Sequence, residues 1–267
     1  MPLTLRSAAG SDVGRRRQTN QDSAVTSPRM LAVADGMGGH AHGELASSVA
    51  VAALAELDSG LAGDDLSGVD LLGGLAGAAN AAVDRLTELA RADSSLRGTG
   101  TTVLALLFDD ARIAVLHVGD CRAYLVRDGD LVRLTRDHTL VQALVDEGRI
   151  SEQEALEHPR RSMLMRTLQD GTAVEPDLFE HEGRAGDRYL VCSDGVTAVL
   201  SDTDLHRELS VGTPQEVVER LISLANEGGG PDNITCVVAD LVDDDSDTDT
   251  TGDGPVLIGA AAAAPVD

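Results

Sequence analysis

No lysine and no tryptophan occur in this chain of 267 residues, and it holds only two Phe and two Tyr. Without lysine there is neither a Schiff-base nucleophile nor a P-loop lysine, so every basic side chain here is an arginine. So few aromatic rings leave no stacking platform for single-stranded nucleic acid. The net charge of −24 leaves no basic face for a phosphate backbone, and no nucleic-acid partner is expected. Three cysteines, Cys121, Cys192 and Cys236, form no C-x-x-C pair. That excludes a disulfide framework and a zinc ribbon and fits a reducing compartment. The opening "MPLTLRSAAG" lacks the basic-then-apolar pattern of a signal peptide. No run approaches the ~18 apolar residues of a membrane span. A cytoplasmic chain is expected, tethered to a membrane only if it is a piece of a longer protein.

What is present is an aliphatic, alanine-rich interior, with 42% apolar residues, enough for one large domain or two small ones. Residues 3 to 35 read as short strands, ending in "RMLAVAD". "AHGELASSVAVAALAEL" from Ala41 to Leu57 and the stretch Leu71 to Ala92 have helical content. Consecutive strand candidates follow: "GTGTTVLALLF", "ARIAVLHVGD", "CRAYLVRDG" and "DLVRLT", with "RDG" as a hairpin turn. "HTLVQALVDEG" and "SEQEALEH" read as two short helices, the second opened by a capping box of Ser151 and Glu154. "DRYLVCSD" and "NITCVVADLV" return as strands around two helices with acidic N-termini. Strand runs joined by hairpins and alternating with helix pairs predict an α+β fold with largely antiparallel sheets.

After Val242 the texture changes. "DDDSDTDTTGDG" is acidic and low in complexity, so 1–242 is expected as the folded domain and 243–267 as a disordered, Ala-rich tail or linker stub. The acidic run resembles a calcium loop only in part, since Thr250 stands where that loop needs glycine.

The stretch Ala34–Gly43, "ADGMGGHAHG", places an aspartate at the end of an apolar strand and follows it with glycines. Asp35 has company: Asp22 in "NQDS", Asp120 in "HVGD", Asp194 in "CSDG" and Asp232 in "GPDN". Any one Asp-Gly pair is ordinarily a turn. Five together, several at strand ends, are carboxylates a sheet can project into one cleft. Carboxylates that converge repel and need a cation. Without cysteine or dense histidine ligation they select hard ions, Mg²⁺ or Mn²⁺ before zinc. The glycines after Asp35 and Asp194 would leave room for backbone carbonyls and water around the ion.

Taken in order, "RQTNQD", "ADGMGGHAHGE", "GTGTT", "HVGDCRAYLVRDG", "LTRDHTLVQALVDEGRIS", "LMRTL", "LVCSDG" and "GGPDNIT" resemble the bacterial metal-dependent serine/threonine protein phosphatases of the PPM, or type 2C, family. The resemblance covers about residues 5–242. It implies a four-layer α-β-β-α sandwich, with two mostly antiparallel sheets flanked by helix pairs and a metal centre at one edge. It implies that Asp35 bridges two metal ions, with the Gly36 carbonyl on one and Asp194 and Asp232 completing the other. Asp22 would reach the metals through water. Asp120 with Asp194 would form a weaker third site. Arg17 would hold the substrate phosphate, and His40 would act as general acid. The implied reaction is direct attack of a metal-bridging hydroxide on phosphoserine or phosphothreonine. Phosphorylated proteins, a serine/threonine kinase among them, are the implied partners of a monomeric enzyme. The alternative is a catalytically weak phosphoprotein-binding module of the same fold.

Other residues receive plainer readings. The plain alternative for Arg15, Arg16 and Arg17 is a solvated basic turn, outweighed by the nearby "NQD"; His42 is structural, and His117 is buried and neutral. The cysteines are small core hydrophobes; the sharper reading is that oxidation of Cys121 or Cys192 disturbs neighbouring ligands. Arg136–Leu168 would form a flap beside the cleft.

Overall fold

The computed structural model describes residues 2–37, 42–63, 65–173, 175–243 and 254–263. Two antiparallel sheets lie face to face. The first runs β1 (Leu3–Asp12), β12 (Ile234–Asp243), β11 (Arg188–Cys192), β7 (Arg122–Arg127) and β8 (Asp130–Arg133). The second runs β10 (Asp177–Glu182), β6 (Arg112–Val118), β5 (Val103–Asp109), β3 (Met30–Met37), β2 (Asp22–Thr26) and β13 (Val256–Gly259). Two short strands, β4 (Gly100–Thr101) and β9 (Leu168–Gln169), extend it beyond β3.

Helices cover both outer faces, which gives the expected four layers. The helices α1 (Gly43–Gly60) and α2 (Leu71–Ala92) pack on the second sheet, while α5 (Asp194–Thr197), α6 (Asp202–Leu209) and α7 (Pro214–Glu227) pack on the first. Two short helices, α3 (Leu140–Asp146) and α4 (Glu152–Glu157), lie between β8 and β9, in the segment expected as a flap.

Strand alternation explains the layering. In β5, Val103, Ala105 and Leu107 face the α1/α2 side, and Leu104, Leu106 and Phe108 face the other sheet. Both faces are dry, so the strand reads as a continuous apolar run. In α2 the buried residues Leu71, Leu75, Ala78, Ala82, Val83 and Leu86 recur at helical spacing. The scarcity of rings leaves the space between the sheets to aliphatics, with the Phe108–Tyr189 edge-to-face pair among them at a centroid distance of 5.4 Å.

Local signals hold well. Asp70 caps α2 by accepting from Gly73 N at 2.9 Å. Ser151/Glu154, Ser201/Asp204 and Thr213/Glu216 each form a capping box. The "RDG" hairpin places Asp128 at φ 54° and Gly129 at φ 88°, the two left-handed residues of a type I′ turn.

One expectation fails. The chain after Val242 does not lie outside the fold throughout: 256–259 pair antiparallel with β2 and 260–263 form α8 (Ala260–Ala263). Composition misleads here because a four-residue apolar strand needs only an open sheet edge to be ordered. The acidic run from 244 to 253, with the calcium-like stretch, lies outside the described residues.

Leu106 is fully buried between the sheets. Leu106→Ala should therefore cost about 2–5 kcal/mol of unfolding free energy, read from denaturant titration. A loss under about 1 kcal/mol would mean that the two sheets do not pack as tightly as described.

Candidate metal centre

The site grows from strand ends at one edge of the sandwich. Asp22 opens β2 and Asp35 lies near the end of β3; the two are direct cross-strand partners. Asp120 follows β6, Asp194 starts α5 just after β11, and Asp232 precedes β12. Asp22 and Asp120 are buried, and the other three are partly exposed.

Electrostatics shows that the carboxylates share one space. Burial raises the Asp35 pKa well above its usual value, and Asp22, Asp194, Asp120 and Asp232 push it further. Asp22 is raised to about 7, first by burial and then by Asp194 and Asp232, against hydrogen bonds from Ser193 and Thr235. Asp120 is raised to about 8 by burial, Asp194 and Asp137, and Asp194 to about 6 by burial and Asp232. Each of Asp22, Asp120 and Asp194 also has a buried Oδ1 with no hydrogen-bond partner. A buried carboxylate oxygen left unpaired costs free energy that a cation would recover. An all-oxygen cluster of this kind suits a hard divalent ion, so the residues present fit Mg²⁺ or Mn²⁺.

The backbone around the acids is tightly tied. Thr102 accepts from Asp35 N at 2.9 Å and returns its own N–H to Asp35 O at 2.9 Å. Ser193 Oγ donates to Asp22 Oδ2 at 2.7 Å. Asn233 donates to Val13 O (2.9 Å) and Thr19 O (3.0 Å) and accepts from Gln21 N (2.9 Å), so it fastens the loop that carries Arg17 and Asp22. Sequence reasoning missed these three positioning residues. Their signal was adjacency: Thr102 lies in "GTGTT", Ser193 in "CSDG" and Asn233 in "PDN".

Gly36 and Gly195 have a packing reason that the sequence did not show. A Cβ at Gly36 would sit 2.0 Å from Gly43 O and 2.5 Å from Gln21 O, and one at Gly195 would sit 1.8 Å from Asn233 O. Close approach of backbone to backbone requires a residue without Cβ at both positions. Gly119, at φ +111°, similarly presses on Thr102, 2.5 Å from where its Cβ would be.

Arg17 reaches the cluster: its Nη2 lies 2.6 Å from Asp232 Oδ2. Arg15 and Arg16 are exposed, as expected of a solvated turn. His40 lies outside the described residues, together with Gly38 and Gly39. His42 precedes α1 without capping it through its side chain.

All three cysteines are buried. Burial holds the Cys121 thiol well above its ordinary pKa and raises Cys192 to about 12. Protonated thiols are poor targets for oxidants, so the core-hydrophobe reading stands and the oxidative one loses its basis.

A second polar group lies at the base of the flap segment. His117, His138 and Asp177 bring ligand atoms within 4.8 Å of one another. His138 and Asp177 are already engaged by hydrogen bonds, whereas both ring nitrogens of the buried His117 have no partner. His138 Nδ1 accepts from Gly119 N at 3.1 Å, so the neutral ring carries its proton on Nε2, 3.1 Å from Asp177 Oδ2. Arg166 Nη1 already sits 2.9 Å from Asp177 Oδ1. His117 is buried with its pKa lowered to about 4, by burial first and His138 second, and is neutral as expected.

A four-layer sandwich with a carboxylate cluster at its edge defines the class: a metal-centred α-β-β-α protein. The sequence matches the protein phosphatase 2C family over residues 9–228. The chain belongs to that family. It is 48% identical over 260 residues to the serine/threonine protein phosphatase PstP of Mycobacterium tuberculosis, a match that covers 97% of this chain and 49% of that protein. The chain thus spans about half the length of that relative. The serine/threonine phosphatase stp of Listeria monocytogenes is 33% identical over 236 residues, covering 86% of this chain and 93% of the relative. Among solved structures, the crystal structure of M. tuberculosis PstP/Ppp superposes with a TM-score of 0.85 at 49% identity, over 90% of this chain and 100% of that one. The PstP catalytic domain in complex with two manganese ions gives 0.83 at 48% identity, over the same shares.

Two predictions test the site. Asp22, Asp120 and Asp194 keep their protons to higher pH in the folded chain than their ordinary value of 3.8 allows in the unfolded one. Their contribution to stability is complete below that ordinary value and is lost as pH rises through about 6 to about 8. Calorimetry of the metal-free protein should therefore show Tm falling over that range, with saturating Mn²⁺ flattening the trend; a metal-free Tm that climbs would contradict the cluster. Gly195→Ala should displace α5 from Asn233 and weaken Mn²⁺ binding at least about tenfold by titration calorimetry. Unchanged affinity would show that this close approach does not set the site.

Proposed function

We propose that the chain is a metal-dependent protein serine/threonine phosphatase that hydrolyses phosphoserine and phosphothreonine. The observation that carries this reading is the set of five aspartates at the sandwich edge, three with an unpartnered buried oxygen. Family membership and the printed names of its relatives support it.

Two divalent cations, Mn²⁺ or Mg²⁺, would be held by Asp35, the Gly36 carbonyl, Asp194 and Asp232. Asp22 would be held back by one water, and Asp120 with Asp194 would form a weaker third position. When bound, such ions supply Lewis acidity toward water and phosphoryl oxygen at neutral pH. The chain's own residues do the rest. Asp35, fixed through both backbone groups by Thr102, gives the centre a rigid carboxylate. Arg17 exchanges its ion pair with Asp232 for two oxygens of the substrate phosphate, which its planar fork matches. His40 is assigned the proton delivered to the departing serine or threonine oxygen, since imidazole titrates near the working pH. With the cysteine thiols buried and protonated, the chemistry requires no phosphoenzyme. Substrates are phosphorylated proteins, and a serine/threonine kinase supplies them. Among the described residues no helix is long and apolar enough to cross a membrane. A cytoplasmic monomer is the working assignment.

Hydrolysis of a phosphothreonine peptide should require Mn²⁺ and stop on adding EDTA. Asp35→Asn should lower kcat by at least about a thousandfold, because it breaks the shared ligand. Arg17→Ala should raise KM at least about tenfold with a smaller change in kcat. Metal binding without turnover would instead favour the phosphoprotein-binding module.

A further inference from the structure

We propose that Val256–Ala263, a segment beyond the part of the chain matched to the family, is a positioning element of the metal centre. The proposal rests on the metal-phosphatase reading above. A continuous line of contacts runs from this segment to Gly36.

The strand β13 closes the edge of β2, pairing Leu257 with Val25, Ile258 with Ala24 and Gly259 with Ser23. Without it, β2 would present an open row of backbone groups. The pairing is backed by packing on both faces. Leu257 joins the core under α1 and α2, Ile258 joins the core between the sheets, and Ala261 is buried against the helices. Gly259, at φ +71°, lies so close that a Cβ there would meet Asp22 O at 2.4 Å. The segment therefore lies directly against the residue that opens the carboxylate cluster.

Hydrogen bonds continue inward. Ala261 N–H donates to Ser23 Oγ at 3.1 Å. Ser23 Oγ lies 2.9 Å from Ser47 Oγ on α1, and Ser47 Oγ donates to Gln21 O at 2.6 Å. Gln21 O also accepts from Gly36 N at 3.1 Å. The directions are fixed by these ends. Ser47 spends its proton on Gln21, so it accepts from Ser23, and Ser23 then accepts from Ala261. Ser23 and Ser47 are fully buried, so no water competes for the relay. Lifting the segment would leave Ser23 short of a donor and free the Asp22 strand edge. It would also loosen the Gln21–Gly36 link that orients a carbonyl assigned to a metal.

The test uses the full chain with one proton removed. Ala261 is the second residue of α8, a position that tolerates proline. Ala261→Pro deletes the N–H given to Ser23; Ala262→Pro, at the exposed next position, is the control. Far-UV circular dichroism confirms folding, and titration calorimetry reads Mn²⁺ affinity. Ala261→Pro should bind Mn²⁺ about fivefold more weakly than the wild type, the size of one buried hydrogen bond. Ala262→Pro should match the wild type. Ser23→Ala should weaken binding similarly, and the double variant should be no worse than Ser23→Ala alone, because both changes cut one relay. If Ala261→Pro does not fold, Ser23→Ala carries the same comparison. Equal Mn²⁺ affinity in wild type, Ala261→Pro and Ser23→Ala would overturn the proposal while leaving the phosphatase reading intact. A wild-type chain that binds no Mn²⁺ would overturn both.

Discussion

Like-charge repulsion at one edge of the sandwich is the constraint on which the rest depends. Aspartates whose pKa values are raised first by burial and then by one another would separate if they sat on mobile loops. Each is instead anchored at a strand end or the start of a helix. Two sheets packed through an aliphatic core hold those ends in register. The core offsets an electrostatic cost concentrated in a few residues. Nearby cations soften it: Arg17 touches Asp232, and Arg122, paired with Asp137, lowers the pKa of Asp120 and Asp194.

Precision comes from backbone meeting backbone. Gly36 against Gly43 and Gly195 against Asn233 are such contacts, and Gly119 lies against the Thr102 side chain; a Cβ fits at none of the three. Around them Thr102 and Asn233 bond the main chain beside the acids and Ser193 donates to the Asp22 carboxylate itself, so the carboxylates inherit their placement from the scaffold. A site assembled this way is preorganised, and binding a cation need not pay again to arrange it.

Much of this was legible in sequence because the signals are local. The extent of α2 from Leu71 to Ala92, the Ser151/Glu154 capping box and the "RDG" hairpin follow from spacing and turn chemistry. The convergence of Asp22, Asp35, Asp120, Asp194 and Asp232 was readable because several of the five stand at or beside strand ends. What escaped depends on contacts distant along the chain. Nothing near Gly195 says that Asn233 O lies against it. Nothing in "PVLIG" says that β2 has an edge to fill, so an apolar patch after an acidic run passed for a stub. Nothing in "PDN" points to the partners of Asn233, because Val13 and Thr19 lie more than 200 residues away.

The three buried thiols also make the molecule its own reporter. Cys121 lies in the layer between the sheets, whereas Cys192 and Cys236 are cross-strand partners beneath α6 and α7. An alkylating reagent reaches neither place while the layers are closed. Labelling at Cys192 and Cys236 therefore times the lifting of the outer helices, and labelling at Cys121 times the parting of the sandwich itself. The two rates separate shedding a flank from losing the whole fold, with no probe added to the protein.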